Sequence, residues 1–151
     1  MKKNITCLNN CYGCGVCVKA CPTKIISLKE TSDGFYAPII QEQDKCIDCG
    51  LCLRICAFNH DTVTQDNTST DSYAAWSNTP TVREHCSSGG IGFEIGRWAI
   101  DNGYKTVGVR YNPQKNRAEH YIASTVEDFM PSVGSKYIPS YTADAFDKIN
   151  L

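Results

Sequence analysis

The stretch CYGCGVCVKAC (11–21) returns 35 positions later as CIDCGLCLRIC (46–56). Each copy sets cysteines at the first, fourth, seventh and eleventh places, and each puts a glycine after its second cysteine, at Gly15 and Gly50. A period of this length suggests two copies of one small unit, neither with enough core to stand alone. The intervening KIISLKETSDGFYAPII (24–40) reads as strand, turn and strand. Ile25, Ile26 and Leu28 are β-prone, Asp33-Gly34 signals a turn, and Phe35 to Ile40 runs apolar again.

Ten cysteines stand in 151 residues, and all but Cys86 lie within the first 56. In a secreted chain that density would suggest disulfides. Here the opening MKKNITCLNN has the lysines of a signal peptide without a hydrophobic stretch behind them. The expectation is a cytoplasmic protein whose thiols bind metal. Net charge is −1 with both signs mixed, which argues against nucleic-acid binding through bulk positive charge. The longest apolar run falls far short of the ~18 residues of a membrane-spanning helix.

The spacing says which metal chemistry to expect. A 4Fe-4S cubane takes four thiolates, and a tight loop with cysteines three apart can offer three of them. Gly15 and Gly50 let the backbone pass close by in conformations that larger residues resist. Zinc is the alternative, with paired C-x2-C units sharing a metal across a longer gap. Zinc does not require a triple spacing that occurs twice, each with a further cysteine four positions on. Cys7 lies outside the pattern and reads as a spare packing thiol, with a role as an alternative ligand as the other reading.

After residue 60 the composition shifts. DTVTQDNTSTDS (61–72) is polar and reads as a linker. Beyond it, Ser87-Ser88-Gly89-Gly90 precedes an expected helix with Ile91, Ile95, Trp98 and Ala99 at helical spacing and Asn102-Gly103 at its end. KTVGVRY (105–111) and RAEHYIAS (117–124) read as strands. Ser124 with Glu127 makes a capping box for a short helix that Pro131 ends or just follows, and another short helix begins near Thr142. Ser87 to Gly90 at a helix start is a fair phosphate site, since free N–H groups and the helix dipole favour an anion. An ordinary serine cap with flexible glycines is the alternative. Cys86 reads as a small buried residue, with a redox thiol or a further cluster ligand as the alternatives.

The cysteine head, residues 5 to about 60, resembles the two-cluster bacterial-type ferredoxin domain. In that family the fourth cysteine of each run ligates the other cluster. The resemblance therefore implies Cys11, Cys14, Cys17 and Cys56 for cluster I, and Cys46, Cys49, Cys52 and Cys21 for cluster II. Pro22 follows Cys21 as in the family, whereas Ala57 follows Cys56.

CSSGGIGFEI (86–95), with GSKYIPS (134–140) further on, is similar to the N-terminal part of the coenzyme F(420) hydrogenase/dehydrogenase beta-subunit family. DGFYAPII (33–40) resembles the ferredoxin domain often fused to it. The resemblance implies FAD in a longer parent protein, with Ser87, Ser88, Gly89, Gly90, Lys136 and Tyr137 as flavin contacts. It implies electron exchange with a redox partner protein or a C-terminal catalytic domain. The family's catalytic half is much longer, so a complete flavin site is not expected within this chain, and no catalytic residue is assigned. A stand-alone electron carrier with a docking tail is the rival reading.

The expected architecture is α+β, a pseudo-twofold two-cluster ferredoxin-type domain (1–60), a linker (61–72) and an incomplete α/β domain (73–151).

Overall fold

The computed structural model describes residues 3–60 and 69–149. Most of the expected linker, residues 61–68, lies outside the described residues. The chain forms two compact units, one of residues 1–68 with 141–151, the other of residues 69–140. Both helices and strands are present, an α+β mixture.

In the first unit each cysteine run closes into a loop followed by one short helix, α1 (Val16–Ala20) and α2 (Leu51–Arg54). Gly15 and Gly50 cap these helices in the left-handed conformation, with φ of 75° and 66°, the freedom for which glycine is suited. Between the loops runs the expected hairpin. β1 (Ile26–Glu30) pairs antiparallel with β2 (Tyr36–Ile40), Ile26 facing Ile40 and Glu30 facing Tyr36.

The core of this unit is small and sulfur-rich. Ile5, Cys17, Ile25, Ile26 and Cys52 are buried together, with Leu8, Val18, Ile40 and Leu53 packed around them. One cysteine of each run sits at its centre, so neither copy closes a core alone. Ile5 is held there by Asn4, whose buried side chain accepts from the Thr6 amide (3.1 Å) and hydroxyl (2.7 Å).

The second unit contains α3 (Pro80–His85) and α4 (Ile91–Asp101). Its antiparallel pair is β3 (Thr106–Asn112) and β4 (Arg117–Ala123), in register from Thr106↔Ala123 to Asn112↔Arg117. A short helix, α5 (Val126–Phe129), follows. Phe129 organises the core, stacking on Phe93 at 5.4 Å while its carbonyl accepts from the Tyr121 hydroxyl at 3.2 Å. A Cβ on Gly96 would lie 2.2 Å from the Phe129 ring, so only glycine admits it there.

Two local expectations are corrected. Along α4 the buried positions are Phe93 and Gly96, while Ile95 and Trp98 are exposed. The Phe129 ring packs on the glycine and turns the bulkier stripe outward. The cap of α5 is Thr125, whose side chain accepts from the Asp128 amide at 3.1 Å, one residue later than the Ser124–Glu127 box. Pro131 falls in the 3-10 turn after α5.

The division of the chain also differs from the expected boundary. β5 (Ser140–Tyr141) extends the second sheet beside β4 as the chain leaves that unit. Residues 141–149 then return to the cysteine head. There α6 (Ala143–Phe146) forms, Tyr141 meets Tyr36 edge-on at 5.5 Å, and Lys19 pairs with Asp147 at 3.6 Å.

Candidate iron–sulfur sites and a serine-rich cleft

Two cavities lie among the cysteines of the first unit. One, of about 120 Å³, is lined by Cys11, Cys14, Cys17 and Cys56, with Ile5, Val16, Leu28, Pro38, Tyr12 and Phe58 as its apolar walls. The other is lined by Cys21, Cys46, Cys49 and Cys52, together with Ile25, Ile26 and Ile40. Each cavity therefore gathers three cysteines from one run and the fourth from the other run. The second measures about 20 Å³, little more than the ~10–15 Å³ that admits a water, so a bound group there would spread its four side chains.

The loops position these thiols through their backbones. The Gly13 amide donates to Cys11 Sγ at 3.2 Å, and the Thr23 hydroxyl lies 3.5 Å from Cys21 Sγ. Burial pushes the Cys17 thiol up to about 12, with Cys14, Cys11 and Cys52 acting in the same direction. Burial also raises Cys52, against amide hydrogen bonds from Ile5 and Leu53. Cys21 goes the other way. Burial alone would raise it, but the Thr23 hydroxyl and the amides of Ile25, Thr23 and Ile26 hold it below the ordinary thiol range. Metal ligation requires the thiolate, and amide N–H groups aimed at sulfur tune the redox potential of an iron–sulfur site.

Among the described residues no three His, Cys, Asp or Glu side chains converge on one ion position. The thiols that line the two cavities are a soft donor set suited to an iron–sulfur core.

Residues 10–70 match the 4Fe-4S dicluster domain family. The dicluster segment takes in all eight cysteines of the two runs and carries an iron–sulfur, electron-transfer role. No curated protein matches the chain. Among the described residues no helix is long and apolar enough to cross a membrane.

Sequence reasoning missed three contributors to the dicluster segment. Ile5 lines the first cavity while its amide bonds Cys52 of the second. Tyr12 and Phe58 pair at 4.5 Å beside the first cavity. A 35-residue offset relates Tyr12 to Ile47, another large apolar residue after a first cysteine, but the offset alone does not reveal the aromatic pair.

The second unit holds a cleft of about 520 Å³ at the start of α4. Ser87, Ser88, Gly90 and Lys136 line it, with Cys86, Ser132, Ser135 and Ser140. Of the six residues singled out from the sequence, the structure brings these four together. Gly89 and Tyr137 are not on its wall. A Cβ on Gly89 would lie 2.3 Å from the Ala75 carbonyl oxygen, and Tyr137 is 89% exposed. The Lys136 ammonium donates to the carbonyls of Pro131, Ser132, Val133 and Gly134 at 2.8–3.1 Å, while burial lowers its pKa. The cation thus ties its own loop together. Ser87 Oγ accepts from the Ser135 amide at 2.9 Å, joining the two walls. Cys86 is half-buried at the end of α3.

Proposed function

We propose that this chain is a two-cluster electron relay with crossed ligation. Cys11, Cys14 and Cys17 hold one 4Fe-4S cluster with Cys56, and Cys46, Cys49 and Cys52 hold the other with Cys21. The observation that carries this reading is the lining of the two cavities, three cysteines from one run and one from the other in each. Each bound cluster would supply one-electron transfer. The chain's own part is to exclude water with Ile5, Leu28 and Pro38, to aim amides at sulfur, and to bind both halves of the repeat into one core. The pseudo-twofold relation of the halves is part of the same reading, supported by the left-handed helix caps at Gly15 and Gly50.

In its finer form the reading makes the second unit the start of a flavin-dependent oxidoreductase domain of the coenzyme F(420) hydrogenase/dehydrogenase beta-subunit type. The cleft at the start of α4, with Ser87, Ser88 and Gly90 on its wall, supports an anionic group there. The redox partner is then a catalytic domain or a separate protein.

Iron analysis of anaerobically purified chain and variants tests the relay. The protein should be brown and hold about eight irons. Cys14→Ser with Cys56→Ser should remove one cluster and leave about four irons, whereas Cys14→Ser with Cys21→Ser should damage both clusters. The reverse pattern would give each run ownership of its fourth cysteine. A colourless chain with stoichiometric zinc would overturn the iron–sulfur reading.

A further inference from the structure

The two cysteine loops repeat one another, and the segment that returns from residue 141 grips the first of them. Thr142 Oγ1 donates to the Cys14 carbonyl at 2.7 Å across 128 residues. It stands 2.6 Å from the place a Cβ on Gly15 would take, and Leu28 Cδ1 lies 3.1 Å from the same place. At Gly50, the matching residue of the second loop, a Cβ would meet nothing within 4 Å. Lys19, on the helix that follows the first loop, bonds both the side chain and the carbonyl of Asp147. The returning segment therefore fixes the Cys11–Cys17 loop and leaves Gly50 of its repeat uncovered.

We propose that Thr142 is a positioning residue that makes the two cluster sites inequivalent, an inference that rests on the two-cluster reading above. Its hydroxyl holds the negative end of the Cys14 carbonyl dipole. Without that fixed donor the exposed carbonyl is met only by mobile water, its partial charge is less fully compensated beside the site and opposes an added electron, so the potential falls. The loop also loses the hydroxyl that fixes the direction of that carbonyl.

The test is a redox titration of the intact holoprotein, followed by electron paramagnetic resonance. Thr142→Val keeps the shape and removes the donor. The midpoint of the cluster held by Cys11, Cys14 and Cys17 should fall while the other stays fixed, and Thr142→Ser should restore it. Outright loss of that one cluster in Thr142→Val, with about four of about eight irons kept and rescue by serine, supports the proposal equally. In a Cys14→Ser background, which keeps only the second cluster, Thr142→Val should change nothing. The proposal is overturned if both midpoints stay put, if both move together, if serine fails to rescue, or if the effect survives in the Cys14→Ser background. A wild-type chain without iron overturns the two-cluster reading itself, and the iron count shows this before any variant is titrated.

Discussion

Gly13 and Asp48 occupy matching places in the two cysteine runs and share one left-handed backbone conformation, with φ of 68° and 54°. Their surroundings differ. A Cβ on Gly13 would lie 2.5 Å from the Tyr36 carbonyl oxygen, whereas the second loop already accepts an aspartate, a residue tolerated in this conformation. Exchange of the two residues should thus be unequal. Asp48→Gly should keep both clusters and stay within about 1 kcal/mol of wild type, relief of strain offsetting added chain entropy. Gly13→Asp should strip the cluster held by Cys11, Cys14 and Cys17, halving the iron. Equal iron retention in the two variants would show that the hairpin does not crowd the first loop.

In the second unit, Gly96→Ala sets helix propensity against packing. Alanine favours a helix interior by roughly 1 kcal/mol over glycine, but the added methyl would meet the Phe129 ring at 2.2 Å. Overpacking of this kind costs about 1–3 kcal/mol, so the variant should be less stable, and Phe129→Leu added to it should recover part of the loss. Both tryptophans, Trp76 and Trp98, lie in this unit, so their fluorescence during urea unfolding reports on it. A stabilised Gly96→Ala would refute the close contact.

Glu119 is the buried charge of β4, 4% exposed, with Arg110 at 3.0 Å, Arg117 at 3.6 Å and Lys115 at 3.8 Å. Burial pushes its carboxyl up. The hydrogen bonds from Asn112 and Arg110 and the charges of Arg110 and Lys115 outweigh that and hold it below its ordinary value of 4.5. A depressed folded-state pKa contributes stability that is fully present above 4.5 and is lost as pH falls through the folded value. Glu119→Gln should therefore cost about 1–3 kcal/mol at neutral pH, and the gap should close as acid protonates the wild-type side chain. A gap that stays constant down to pH 3 would contradict this account.

The legible part of the molecule is the part governed by spacing. Cysteines three apart, repeated at a fixed offset, specify two loops because few other arrangements need that pattern, and Asp33-Gly34 between apolar runs specifies a hairpin for similar reasons. The outward face of α4 was not legible. Periodicity ranks Ile95 and Trp98 above Gly96, and nothing local announces that an aromatic ring from residue 129 packs on the glycine. The start of α5 was ambiguous because Ser124–Glu127 and Thr125–Asp128 are overlapping capping signals. Nor does any periodic signal tell that residues 141–149 belong with the cysteines, since contacts such as Thr142 with Cys14, Lys19 with Asp147 and Tyr141 with Tyr36 leave no mark in the local sequence. At the cleft the sequence located the wall residues Ser87, Ser88, Gly90 and Lys136, but it did not reveal that four nearby carbonyls already engage the lysine.

The discontinuous first unit has a consequence for the order of events on the ribosome. Its last cysteine, Cys56, is translated well before Thr142, and at about 5–20 residues per second the interval is roughly 4–17 s. During that interval the second unit can be made and folded, while the segment that grips the Cys14 loop does not yet exist. Metal delivered early meets two similar loops; metal delivered after release meets one loop already clamped. On the two-cluster reading, the timing of iron supply against translation would bear first on the loop that Thr142 grips.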